Sequence, residues 1–277
     1  MKVISLINMK GGVGKTTLSV NIADSLARRY KKRVLIVDID PQFNATQCLF
    51  TPDQYMNHLK EKKETITDLF DKETKISISV VSGASKNTAK ILADIDPVKV
   101  KENLWCLPGN LELYRLEIAP GEGRENRLKK YLQSNQEQFD YVIIDTPPTP
   151  SLWMTSALIA SDYYLIPVKA DPISLTGIDL LNNIVSEKKD DLDLSIKCIG
   201  LVLTITEKGT RVYNSAKSTI ASNPRWSNLI YNRELPKRTE VAGKQLNNFI
   251  LDLSDTAIKT ALSGIVDEML TRIDNES

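Results

Sequence analysis

Apolar residues along the chain gather in short continuous runs, and the stretches between them carry helical spacing. The runs are Lys2–Met9 (KVISLINM), Arg33–Asp40 (RVLIVDID), Phe139–Pro148 (FDYVIIDTPP), Tyr163–Val168 (YYLIPV) and Ile196–Thr206 (IKCIGLVLTIT). Unbroken apolar runs of this length read as strands covered on both faces. From Thr16 to Tyr30, residues Leu18, Ile22, Leu26 and Tyr30 fall on one helical face, and Ile173–Lys188 and Arg211–Ala221 carry the same period. Strands alternating with helices predict an α/β fold, a mostly parallel twisted sheet with helices on both faces. The stretch from Thr51 to Val100 breaks the rhythm. It is polar, and its one strand-like piece, Ile76–Val81 (ISISVV), alternates. We read a single domain over 1–277 with a helical insertion around 51–100. Near the C-terminus, Ala257, Ala261, Ile265 and Met269 form a stripe that predicts a helix packed on the core.

Composition narrows the function classes. With 277 residues, 42 % of them hydrophobic, the chain can bury a sizeable core. A net charge of +1 means that affinity for nucleic acid must come from a local patch. The three cysteines, Cys48, Cys106 and Cys198, are far apart and form no CxxC pair. That argues against a zinc site, a redox dithiol or a four-thiolate cluster. No apolar run approaches the ~20 residues of a membrane span. The first residues lead directly into a strand, so a cytoplasmic protein is expected.

The chemistry concentrates in Asn8–Ala23 (NMKGGVGKTTLSVNIA). A glycine loop between a strand and a helix is the setting of a phosphate site. Backbone N–H groups of Gly11, Gly12, Val13 and Gly14 can turn inward, and the following helix adds its positive end. Lys15 would reach the β- and γ-phosphates of ATP, the Thr16 hydroxyl would ligate Mg²⁺, and Thr17 follows in the same turn. The standard GxxxxGK[ST] pattern asks for a glycine where Met9 stands, and a second lysine, Lys10, follows it.

The pattern xKGGxGK[ST] resembles the deviant phosphate loop of the MinD/ParA superfamily. The resemblance implies that Lys10 reaches across a dimer to the partner's nucleotide. ATP would then hold the dimer together, and hydrolysis would dissolve it. Lys10, Lys15 and Asp40 form the catalytic set. Asp40, in VDIDPQFNAT, sits at the carboxyl end of a strand, where ligands bind in open α/β sheets and a carboxylate can orient attacking water. The stretch resembles the ParA switch I, which carries the hydrolytic role to Asp40 and a supporting one to Asp38, two residues earlier on the same strand face. Asp145 ends YVIID in a Walker B pattern and, with Thr16 and Asp40, completes the Mg²⁺ set. Asp145–Pro148 matches switch II of the family.

Further segments carry the resemblance along the chain: LWCLPGNLEL, LIPVKADPISLTGIDLL, GLVLTITEKGTRVYN and LIYNRELPKRTEVA. In the last, Tyr231 and Asn232 replace the proline that the family pattern expects after isoleucine, and Asn232 joins the nucleotide-binding set. Asp267, Glu268, Asp274 and Glu276 make the C-terminus acidic, unlike the basic membrane helix of MinD, so no membrane binding is expected. Between Ile205 and Lys244 eight basic residues face three acids. Lys208, Arg211, Lys217, Arg233, Lys237 and Arg238 are the candidate DNA contacts, holding phosphates without reading sequence. Arg225 and Lys244 complete the eight. No helix-turn-helix pattern precedes the phosphate loop, so operator binding is not expected. The resemblance implies a nucleoid-associated partition ATPase of plasmid or chromosome, in which an ATP-dependent homodimer coats nonspecific DNA and a ParB-like centromere-binding partner stimulates hydrolysis. Two alternatives stay open: a relative that positions a protein cargo along nucleoid DNA, and a MinD-like regulatory ATP switch.

Overall fold

The five apolar runs form the middle of one sheet. The computed structural model describes residues 1–71, 92, 95–118, 121, 123–243 and 249–276. The first half runs β1 (Lys2–Leu6), α1 (Lys15–Arg29), β2 (Val34–Asp38), α2 (Asn44–Leu49), α3 (Pro52–Lys60), α4 (Ile66–Phe70), β3 (Val98–Lys101), β4 (Leu104–Leu107), α5 (Leu113–Ile118) and α6 (Arg127–Ser134). It continues with β5 (Tyr141–Asp145), α7 (Leu152–Ala160), β6 (Tyr163–Lys169), α8 (Pro172–Leu192), β7 (Lys197–Thr206), α9 (Arg211–Ser222), β8 (Leu235–Pro236), α10 (Thr239–Gly243) and α11 (Thr256–Glu276).

Eight strands lie in the order β3-β4-β2-β5-β1-β6-β7-β8. Every pair is parallel except β3–β4 at one edge. Alternation within each strand divides the core in two. Ile4, Leu6, Ile36 and Ile143 face α1 and α11. Val3, Leu35, Val37, Val142 and Ile144 face the layer of α4, α6 and α7. This is the doubly covered parallel sheet that the runs predict. Both α1 and α11 are held by apolar burial, each large side chain contributing about 1.5–3 kcal/mol on leaving water.

α1 is buried on more than one face, because the sheet lies on one side and α2 and α11 on the others. The stripe of α11 is Ile258, Leu262, Ile265, Val266, Met269 and Ile273, whereas Ala257 is exposed and Ala261 only half-buried. The helix does pack on the core, but its register is set by large side chains that outcompete alanine for the sheet. Between 51 and 100 the described residues form α3, α4 and the edge strand β3, α3 starting from a Thr51–Gln54 capping box. Ile76–Val81 lies outside the described residues. Among the described residues no helix is long and apolar enough to cross a membrane.

Candidate functional site

The loop after β1 is tied to β6 and β7, the next two strands on one side of β1, before α1 begins. Asn8 donates through Nδ2 to the Pro167 carbonyl of β6 at 2.7 Å and accepts from the Lys10 N–H at 2.8 Å. The Thr204 hydroxyl of β7 donates to the Val13 carbonyl at 2.6 Å. Gly12 (φ 69°) and Gly14 (φ 79°) adopt the left-handed backbone that turns the chain into α1, and Gly14 caps that helix. Gly11 and Val13 do not share it, so left-handed geometry serves two positions of the loop and not four. The loop from Gly11 to Thr17 lines a cavity of about 580 Å³, closed on other sides by Asp40, Gln42, Gln47 and Ile205.

Lys15 is 7 % exposed and its Nζ donates to the carbonyls of Asn8 (3.0 Å) and Lys10 (3.4 Å). Burial pushes its pKa down, and the negative charges of Asp145 and Asp40 counter that. Asp145 is fully buried at the end of β5. Its Oδ2 accepts from the Thr16 hydroxyl at 2.7 Å and its Oδ1 from Ser19 at 2.9 Å. Burial pushes Asp145 up to about 6, against the pull of Thr16, Lys15 and Ser19.

Asp38 is the register partner of Asp145 on the adjacent strand. It does not line the cavity. Its Oδ2 accepts from the Thr46 N–H and hydroxyl, both at 2.7 Å, while Oδ1 is buried without a hydrogen-bond partner. Burial, then the Asp145 charge, holds its carboxyl well above the ordinary range. Asp40 stands two residues beyond the strand end, in the turn that Phe43 N–H closes on its carbonyl at 2.8 Å. The period of two that linked the carboxylates stops with β2. Asp38 faces the interior and Asp40 faces the cavity, its Oδ1 accepting from Gln42 N–H at 2.9 Å. Burial raises the Asp40 pKa too, with Lys15 opposing.

These residues fit a nucleotide with Mg²⁺. A glycine loop lining the cavity, a buried lysine and a helix N-terminus suit a polyphosphate. The Thr16 hydroxyl and Asp145 lie together where a hydroxyl–metal–carboxylate set needs them. Among the described residues no group of three or more His, Cys, Asp or Glu is placed to hold a metal without such help. A Mg²⁺ here would complete its shell with phosphate oxygens and water.

The other sequence-predicted residues lie elsewhere. Lys10 points to Asp171, just before α8, with Nζ 2.8 and 2.9 Å from the two carboxylate oxygens. Asn232 lines a separate cavity of about 750 Å³ together with Lys208, Arg233, Lys237 and Arg238. Three of the six candidate DNA contacts are held by close acids: Lys217 by Glu234 (2.6 Å), Lys237 by Glu207 (2.6 Å) and Arg238 by Asp255 (2.5 Å). Lys208 stands 4.0 Å from Glu234. Arg211 and Arg233 are exposed and have no acid partner among the described residues. Lys244 lies outside them. The face therefore offers fewer cations without a close acid than the sequence count suggests.

Sequence reasoning missed Ser19, Thr46 and Asp171. Ser19 follows Thr16 by three residues and so shares its helix face, a signal that was present. Thr46 and Asp171 reach the site through tertiary contacts, for which spacing carries no sign.

Residues 1–198 match a family model described as an AAA domain, AAA_31. The sporulation initiation inhibitor protein Soj of Bacillus subtilis is 36 % identical over 76 % of this chain and 75 % of its own length. The chromosome partitioning protein ParA of Myxococcus xanthus is 30 % identical over 76 % and 67 % respectively. Among solved structures, a cobyrinic acid a,c-diamide synthase from Mycobacterium smegmatis with an ATP analogue and magnesium aligns with a TM-score of 0.76 at 21 % identity, covering 100 % of this chain and 97 % of that one. A match at that identity speaks for the fold alone, and the same fold carries different chemistries.

Proposed function

The chain belongs to the ParA-type partition ATPases of the MinD/ParA superfamily, and from that premise we propose an ATP-driven cycle of DNA binding and release. The observation that carries it is the joint arrangement of Lys10, Lys15, Thr16, Asp40 and Asp145 around or beside one cavity at the carboxyl end of a parallel sheet. Lys15 and the loop amides bind and orient the triphosphate. Thr16, with Asp145 behind it, would hold Mg²⁺, whose charge would offset that of the phosphates. Asp40 faces the same cavity and orients the attacking water. Lys10 leaves Asp171 to reach the nucleotide of a second copy, because two facing triphosphates concentrate negative charge that a cation from each side offsets.

In this reading the closed dimer doubles the phosphate contacts made by Arg211, Arg233 and their neighbours, so ATP gates DNA binding. The Myxococcus xanthus relative, named a chromosome partitioning protein, supports a DNA cargo over a purely regulatory switch. Hydrolysis, stimulated by a centromere-bound ParB-like partner, releases the dimer. The test is titration of labelled duplexes of unrelated sequence, with and without ATP and Mg²⁺, over a range of salt. With about three contacts per subunit, log affinity falls with log salt at a slope of roughly −5 for the dimer and about −3 for a monomer. Arg211→Ala/Arg233→Ala flattens the slope while ATP-dependent dimerisation survives. No ATP-dependent DNA binding at low salt would reject the DNA reading in favour of the regulatory switch.

A further inference from the structure

Glu234 is a buried acid that the nucleotide chemistry does not use. Its side chain is 3 % exposed, at the wall of the 750 Å³ cavity just before β8. Oε1 accepts from the Tyr213 hydroxyl at 2.7 Å and from Lys217 Nζ at 2.6 Å; Oε2 accepts from the same hydroxyl at 2.9 Å. Lys208 Nζ stands 4.0 Å from Oε2. Tyr213 and Lys217 project from α9 one turn apart, and Lys217 also donates to the tyrosine oxygen at 3.2 Å.

The two lysines belong to the surface, being 47 % and 72 % exposed in their side chains, while the acid belongs to the interior. That separates this pair from its neighbours. Lys237–Glu207 and Arg238–Asp255 are open to water at both ends, so they exchange partners at little cost. A buried carboxylate cannot turn away into solvent and stays fixed beneath the cations that face outward.

We infer that Glu234 is the internal counter-ion of the DNA face: its carboxylate cancels Lys217 from below and weakens Lys208, so a DNA phosphate must compete with it. This rests on the DNA-binding reading above. The consequence is an affinity held below what the count of lysines would give. For a protein that must let go of DNA after each cycle, such a limit favours release.

Glu234→Gln keeps the shape and an acceptor for Tyr213 and removes the charge. In the ATP-bound dimer, the slope of log affinity against log salt becomes steeper by about 0.9 for each lysine released in each subunit. One such contact corresponds to about eightfold tighter binding near ~0.1 M salt. Adding Lys217→Ala to Glu234→Gln removes the share of the steepening that comes from Lys217 and leaves at most that of Lys208. Tyr213→Phe loosens the same contact without changing charge and leaves the slope as in wild type. An unchanged slope or weaker binding in Glu234→Gln overturns the inference, as does an equal steepening in Tyr213→Phe. If wild type binds no DNA and Glu234→Gln does, the counter-ion role is supported in its strongest form. If neither binds DNA, both this inference and the DNA reading fall.

Discussion

The ammonium of Lys10 lies between the two carboxylate oxygens of Asp171, 2.8 Å from one and 2.9 Å from the other. The lysine that distinguishes this loop from an ordinary phosphate loop is therefore held within its own subunit. Both side chains are partly exposed, at 33 % and 19 %, so the pair contributes only about 1 kcal/mol or less. A triphosphate offers more charge than one carboxylate and can draw the lysine away.

Asp171→Asn weakens that hold. Dimerisation with a slowly hydrolysed ATP analogue then occurs at a concentration lower by up to about thirtyfold, because each dimer frees two such lysines at about 1 kcal/mol or less each. Lys10→Ala retains ATP binding and loses the dimer. Light scattering reads both. Normal dimerisation of Lys10→Ala would remove the cross-subunit role.

Asp40→Ala leaves ATP binding and dimerisation in place and lowers turnover by roughly a hundredfold or more, the range of a lost water-positioning or proton-transfer group. The variant stays on DNA in the ATP state. Phosphate release and DNA off-rates on the same sample test this, and turnover equal to wild type would assign the water to another group.

Gly109 sits against the segment that carries Asp40. A Cβ there would meet Phe43 Cβ at 2.6 Å and Asp38 Cγ at 2.9 Å, atoms too close to the main chain to move aside. Its N–H donates to the Thr46 hydroxyl at 2.7 Å, the group that in turn donates to Asp38. Gly109→Ala costs about 1–3 kcal/mol by overpacking. Calorimetry should show a fall in Tm of roughly 2–4 °C for each kcal/mol. ATP turnover falls too, because Phe43 N–H closes the Asp40 turn. An unchanged Tm would mean that the loop after β4 yields where its packing says it cannot.

Acid and nucleotide act in opposite directions on the buried carboxylates. Burial raises Asp145 from 3.8 to about 6 and moves Asp38 and Asp40 upward as well. A carboxyl with a raised folded pKa binds protons more readily folded than unfolded. Its ionisation therefore costs stability above about pH 6, and that cost disappears as pH falls from about 6 toward about 4. The nucleotide-free protein melts higher at about pH 5.5 than at about pH 7.5. Mg²⁺ binding needs the ionised form, so the extra stability given by Mg²⁺ with ATP shrinks over the same range. Differential scanning fluorimetry with and without both ligands checks the two trends, and a nucleotide-free Tm that falls between pH 7.5 and 5.5 contradicts the first.

The sequence alone determined the central sheet. Runs such as VLIV and YVII carry no charge before the aspartate that ends each strand, and a chain can hide both faces of a strand only inside a covered parallel sheet. It determined the phosphate loop too, because glycine geometry, a lysine and a helix start are local properties that spacing records. Tertiary structure decided what each charge faces. Asp38 and Asp40 are two residues apart and look equivalent in the sequence, yet the end of β2 turns one into the interior and the other to the cavity. Lys217 and Arg211 are alike in a count of basic residues, but a glutamate 17 positions further on neutralises Lys217. The energy of a charge depends on burial and on the nearest opposite charge. Both are set by residues distant in the chain, which no local pattern contains.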